Sequence, residues 1–150
     1  MRLVHAQPPS ERRHPAPLQH TVGLGFRERV LIGIDHVQLA APPGCEPEAR
    51  RFFGELLGMQ EIEKPPALRD RGGVWFAAGE QQLHVGVEQG FTSARKAHPA
   101  FRVAPGRLTA LAERLQSAGV EVVWDEALPG AWRFYFVDPW GNRLELLERE

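Results

Sequence analysis

The sequence predicts an α+β domain made of two modules, each a strand, a helix and three further strands. Each module's strands would form a curved, cup-shaped mixed sheet with a helix on the outer, apolar face. Three observations carry this expectation. Landmarks recur at one offset: Gly58 and Gly119, each closing a helical pattern, are 61 residues apart, as are His84 and Glu145 and the turn residues Glu80 and Gly141, while His36 and His98 are 62 apart. Two stretches alternate with period two: Leu83, Val85 and Val87 oppose Gln82, His84 and Gly86, and Leu144 and Leu146 oppose Glu145. Finally, Asp138-Pro139 followed by Gly141-Asn142 is strong turn chemistry between apolar runs, which predicts a closing hairpin.

Length and composition set the outer bounds. At 150 residues with 43% hydrophobic content, the chain can bury one core of ordinary size. A net charge of −1, from 18 basic and 19 acidic residues, supplies no field for nucleic acid or a membrane surface. Cys45 is the one cysteine, so neither an internal disulfide nor a thiolate zinc cluster can form, which fits a reducing, cytoplasmic setting. No apolar run approaches the roughly 20 residues needed to span a bilayer. Residues 1–28 carry Pro8, Pro9, Pro15 and Pro17 and no apolar period. They read as a flexible tail, or as sequence upstream of a true start near Val22 or Val30, ahead of a single domain over 29–150.

In chain order, Val30–Ala40 is β-branched and apolar and reads as the first strand, with His36 near its middle. Pro42, Pro43 and Gly44 break it. Pro47 suits a first helical turn, and Ala49, Phe52, Phe53, Leu56 and Leu57 follow at helical spacing to a stop at Gly58. Met59–Glu63 reads as a short strand, Gly73–Ala78 and Gln81–Glu88 as strands joined by a turn, and Phe91–Ala97 as the connector between modules of about 30–90 and 97–150. The order then recurs: strand His98–Ala104, helix Arg107–Ala118 with Leu108, Leu111 and Leu115 on one face, and strands Val120–Trp124, Trp132–Val137 and Asn142–Glu148.

A carboxylate within an apolar terminal strand costs free energy unless something cationic meets it, so Glu145 needs a partner. Strand parity supplies candidates. His84 and Glu145 each oppose the apolar side of their strand, His98 shares a side with Ala100 and Arg102, and His36 opposes Val37 and Leu39. In a cup these four would converge. Three imidazoles and a carboxylate suit a divalent metal ion (Zn, Ni, Co, Fe or Mn), with positions left for water or substrate. Without His84, the set His36, His98 and Glu145 is a two-histidine, one-carboxylate triad of the kind Fe(II) oxygen chemistry uses. The ion would polarise a substrate oxygen while Glu145 or His84 moves a proton. The plain alternative for Glu145 is an ion pair with Arg133 or Arg143. Arg133 and Tyr135 share a strand face, as do Arg102 and His98; with the wall residue Trp75, these are candidates for binding a small-molecule substrate. Cys45 has no base beside it in sequence and reads as inert.

The motifs IDHVQL around His36, LHV around His84, AHPAF around His98 and DPWGNRLELLE at the end resemble the vicinal oxygen chelate superfamily. That group contains glyoxalase I, bleomycin-resistance proteins, fosfomycin-resistance transferases, methylmalonyl-CoA epimerase and extradiol dioxygenases. The resemblance covers roughly Val30–Glu150. It implies that His36 is the first-strand metal ligand, His98 the ligand opening the second module, and Glu145 the final-strand carboxylate. His84 stands where glyoxalases and epimerases often carry Glu or Gln, so it is either a ligand or an acid/base group. The implied activity is that of a glyoxalase-like metalloenzyme, a lyase, isomerase or small-molecule transferase that chelates an oxygen-bearing substrate. The alternatives are a metal-free drug-binding protein of the bleomycin-resistance type and an Fe(II) extradiol dioxygenase. A homodimer is implied as well, with cups often completed by strands of both chains.

Overall fold

A computed structural model describes residues Val30–Arg149. The tail expected over 1–28 lies outside the described residues. The chain divides after Ile32, and the fold below is that of the unit Gly33–Glu150.

Strand β1 (His36–Ala41) runs parallel to β4 (Gln81–Val87), which is antiparallel to β3 (Val74–Ala78), itself antiparallel to β2 (Glu61–Ile62). The second module repeats this: β5 (Ala100–Arg102) is parallel to β8 (Arg143–Arg149), which is antiparallel to β7 (Ala131–Val137), followed by β6 (Val123–Asp125). The strand orders β1-β4-β3-β2 and β5-β8-β7-β6 match, so the repeat seen in the sequence is one of topology. Both sheets are mixed, as expected.

Besides a 3-10 helix at Pro66–Arg71, each module has one helix between its first two strands, and these two differ in kind. Helix α1 begins as an α-helix over Glu46–Ala49 and continues with π-helical geometry over Arg50–Leu56, where Leu57 N donates to Phe52 O five residues back at 3.0 Å. Helix α2 (Leu108–Ser117) buries Leu108, Ala112 and Leu115. Gly58 and Gly119 follow the two helices with φ of 75° and 82°, the left-handed stop expected of them. Among the described residues no helix is long and apolar enough to cross a membrane.

Several strands begin later than expected, β2 at Glu61 and β6 at Val123 among them, and two of these differences bear on the site. The first strand begins at His36, and Val30, Leu31, Ile32 and Ile34 are exposed, Ile32 by 96%. Apolarity alone reads this run as strand, but β4 supplies residue pairs only from His36↔Gln82 onward. His36 therefore sits at the strand's mouth, where its ring is accessible. Likewise β5 begins at Ala100, leaving His98 in the preceding loop.

Within the strands, parity holds. Leu83, Val85, Leu144 and Leu146 are buried in a core shared by both modules, and the ring of Phe52 stacks on that of Phe136 with centroids 6.2 Å apart. The closing turn ties the modules together. Asn142 Nδ2 donates to Ala40 O at the end of β1 at 2.8 Å, while Asn142 Oδ1 accepts from Ala94 N of the connector at 3.0 Å. Asp138 Oδ1 accepts from the backbone N–H of Trp140 and Asn142 at 3.0 and 2.8 Å, and burial raises the Asp138 pKa above the usual carboxylate value.

Candidate metal centre

Each module presents one pair of candidate ligands on its cup face. In the first, His36 and His84 stack with ring centroids 4.2 Å apart, and Trp75 covers the His84 ring at 3.7 Å, nearly parallel at 2°. His84 is only 4% exposed. Burial, and then the neighbouring His36 ring, pushes its pKa below the ordinary histidine value, so the neutral imidazole is favoured. Its Nε2 lies 2.8 Å from Gln82 Oε1, an acceptor, which leaves Nδ1 as the basic nitrogen. His36 Nδ1 lies 2.7 Å from Asp35 Oδ1, so Nδ1 is the donor and Nε2 carries the free lone pair.

In the second module the pair joins an imidazole to a carboxylate. His98 Nδ1 lies 2.9 Å from Lys96 O, which makes it the donor, and Nε2 lies 3.0 Å from Glu145 Oε2. Glu145 is 3% exposed and takes a second partner, Arg133 Nη1, at 3.3 Å on Oε1. Arg133 also binds Asp125 Oδ1 through Nη2 at 2.7 Å and Nε at 2.9 Å. That hydrogen bond from Arg133 is the main cause that lowers the Asp125 pKa.

This donor set fits a divalent cation. Histidine and carboxylate ligands are held in metal sites by outer partners that fix the ring tautomer and aim the lone pair. Asp35, the Lys96 carbonyl and Arg133 play that part for His36, His98 and Glu145.

The sequence leaves open whether the four residues meet within one chain or across two. Among the described residues, no three His, Cys, Asp or Glu side chains of a single chain lie close enough together to hold a metal ion. The structure brings together His36 with His84 and His98 with Glu145, as two pairs. Strand parity places each pair inside its own module, and the packing of Phe52 on Phe136 that joins the modules does not bring the pairs together.

The substrate candidates also sort themselves. Arg133 is consumed by Asp125 and Glu145, so the ion pair weighed for Glu145 exists and Arg133 has little left for an anion. Trp75 braces the His84 ring. Tyr135 touches the His98 ring edge-on, with centroids 5.4 Å apart. Arg102 is exposed at the end of β5 and makes no hydrogen bond or ion pair among the described residues. Cys45 is buried, and that burial raises its thiol pKa, in keeping with an inert residue. Three contributors were missed: Asp35, Gln82 and Asp125. Asp35 adjoins His36 and Gln82 shares a strand face with His84, so both were within reach of parity; Asp125 depends on the β6–β7 register.

A family model described as the glyoxalase/bleomycin resistance protein/dioxygenase superfamily matches residues 33–146. The chain belongs to this superfamily. Among solved structures, a glyoxalase family protein from Bacillus anthracis is 52% identical with a TM-score of 0.76, over 80% of this chain and 97% of that one. Two more distant glyoxalase-superfamily structures share the fold. Lactoylglutathione lyase from Agrobacterium tumefaciens is 20% identical with a TM-score of 0.61, over 79% of this chain and 95% of that one. A variant of the fosfomycin resistance protein FosX from Listeria monocytogenes, complexed with Mn(II) and 1S,2S-dihydroxypropylphosphonic acid, is 18% identical with a TM-score of 0.66, over 81% of this chain and 95% of that one. No curated protein matches the chain. The span that matches the superfamily contains both ligand pairs.

Proposed function

We propose that the chain is a divalent-metal-dependent enzyme of glyoxalase type, acting as a homodimer in which His36 of one chain meets His98 and Glu145 of the other at the cation, with His84 beside His36 as the acid/base group. The observation that carries this reading is the orientation of the ligands, since Asp35 and the Lys96 carbonyl leave Nε2 of His36 and of His98 as the coordinating atoms. Two further observations support it. A twofold dimer would turn two half-sites per chain into two complete sites per pair. A largely apolar groove of about 1060 Å³ lies along the edges of β1 and β5, lined by Val37, Leu39, Phe101, Val103 and Leu146, and a second copy would cover it. The Mn(II) in the FosX variant supports a divalent ion as the class of cofactor.

A cation bound by these residues supplies Lewis acidity to a substrate oxygen. The chain's own groups then do the following. Arg133 holds Glu145 Oε1, which keeps Oε2 turned towards His98. Trp75 and His36 clamp the His84 ring, and Gln82 fixes Nδ1 as the nitrogen that takes up or returns a proton at a substrate carbon. This chemistry belongs to an isomerase or lyase acting beside a carbonyl.

A second reading, a metal-free binding protein, is favoured by the way each pair is already satisfied within one chain. One experiment separates the two. Chains carrying His36→Ala with His84→Ala are produced together with chains carrying His98→Ala with Glu145→Ala, and bound metal is measured. Each double variant alone should be nearly empty. The mixture should recover about a quarter of the wild-type content, because random pairing makes about half the dimers mixed and each mixed dimer holds one intact site of two. No recovery overturns the shared site. Less than about a tenth of an equivalent in wild-type protein after metal-replete growth leaves the binding-protein reading.

A further inference from the structure

Beside the Glu145 half-site lies a cleft of about 620 Å³, within the usual range for small-ligand pockets. Its walls are apolar and aromatic (Tyr135, Trp140, Val123), and two arginines, Arg95 and Arg143, line it together with the carboxylate of Glu121. The balance of formal charge in the cleft is therefore one positive.

Arg143 is the notable member, and the contrast with Arg133 shows why. Both guanidinium groups lie over the Tyr135 ring, Arg143 with its central carbon 3.9 Å from the centroid and Arg133 at 5.3 Å. Arg133 spends its N–H groups on Asp125 and Glu145. Among the described residues the Arg143 side chain has neither a hydrogen-bond acceptor nor an ion-pair partner. Its central carbon stands over the tyrosine ring, a cation–π contact that holds the fork in place. The edge of that fork, with its paired N–H donors, is left for something else.

We propose that this cleft holds the carboxylate of a small substrate with a flat apolar body, with Arg143 as the anchoring residue and Arg95 as a second, weaker cation. A planar guanidinium pairs with a carboxylate through two parallel N–H···O bonds, and the ring contact limits the freedom the fork would lose in making them. Trp140 and Val123 form the surface on which the apolar body lies. Arg143 and Glu145 are two residues apart on one face of β8, a spacing of about 7 Å. The ring of Tyr135 contacts both Arg143 and His98. A carboxylate on Arg143 therefore leaves the far end of a compact molecule next to Glu145 and His98. The inference rests on the metalloenzyme reading in taking that far end as the reacting one, and it narrows the substrate class to small organic acids.

The experiment is calorimetric titration of the full chain with three probes of one shape: benzoate, benzamide and benzylamine. Benzoate should bind saturably, and benzamide and benzylamine about tenfold more weakly or worse. Arg143→Gln should weaken benzoate by about tenfold or more, Arg143→Lys by less, and Arg95→Gln by only about threefold, since its side chain is exposed. Equal binding of benzoate and benzamide overturns the proposal. So does an Arg143→Gln variant, folded by circular dichroism, that binds benzoate as wild type does. Metal content is measured on the same samples. Arg143-dependent benzoate binding in a protein that takes up no metal would remove the metalloenzyme reading and leave the acid-binding cleft standing. Metal uptake without benzoate selectivity would do the reverse.

Discussion

In the first module Trp75 lies across the sheet from His84, and in the second Tyr135 lies across from Glu145 at the corresponding register position. His84 is braced by the ring opposite it, whereas Tyr135 meets the His98 ring edge-on. Two residues before Tyr135 comes Arg133, the cation that meets Glu145; two residues before Trp75 comes Gly73. Gly73 has φ of 80°, and a Cβ there would lie 2.1 Å from Val85 O, so no side chain of any kind fits. The duplicated scaffold has kept the geometry and divided the electrostatics. One half-site is a stack of three rings, and the other is a chain of polar contacts running from His98 through Glu145 and Arg133 to Asp125.

The largest expected effect comes from forcing the first module to copy the second. The charged groups that act on His84 are His36 and Asp35, and neither is a fixed cation. His84→Glu would bury a carboxylate with no arginine to meet it, at a cost of about 2–4 kcal/mol in unfolding free energy. The converse change, Glu145→Gln, should cost about 1 kcal/mol, because Arg133 keeps its bonds to Asp125. Urea denaturation of both variants measures the difference, and equal costs would break the contrast between the modules. A smaller effect follows from removing the brace. Trp75→Leu keeps an apolar side chain but loses the stack at 3.7 Å, which should cost about 1 kcal/mol. It should also weaken metal affinity up to about tenfold, as loosening an outer partner does. Unchanged metal affinity would show that His84 orientation depends on Gln82 alone.

Much of this was open to inspection in the chain itself, and the exceptions have physical causes. The offset of 61 between His84 and Glu145 reflects corresponding places on β4 and β8, because two copies of one topology with nearly equal overall span put them there. Parity on those strands also told which residues leave the core, since the side-chain period of a strand is two. The run Val30–Ile34 misled, because β propensity describes a residue's fit to a sheet and says nothing of whether a partner strand reaches it. The division into two pairs was hidden for a different reason. Periodicity fixes faces within a module, whereas the placement of one module against the other is decided by contacts such as Phe52 on Phe136, more than 80 residues apart in the chain. Arg133 was legible as a partner for Glu145, but that Asp125 also claims it depended on the β6–β7 register.

The smallest effect is a pH dependence confined to the half-site of stacked rings. Burial lowers the His84 pKa in the folded chain below its ordinary value near 6.5, so over the window between the two values the unfolded chain holds a proton that the folded chain refuses. Stability then rises with pH across that window. The stack is at full strength above about pH 6.5 and loses ground as pH falls towards the lower folded value. Asp138 works in the opposite sense. Its raised folded pKa favours the protonated carboxyl, so its contribution grows as pH falls, but in a window that opens upward from the ordinary carboxylate value of 3.8. Urea midpoints of wild type and His84→Gln between pH 8 and pH 5 isolate the histidine, because every other titrating group is common to both. Wild type should lose up to about 1 kcal/mol more than the variant on acidification. Parallel curves would mean that His84 takes a proton as easily inside the stack as outside it, and the first module would then be no more than the second module with a different residue in place.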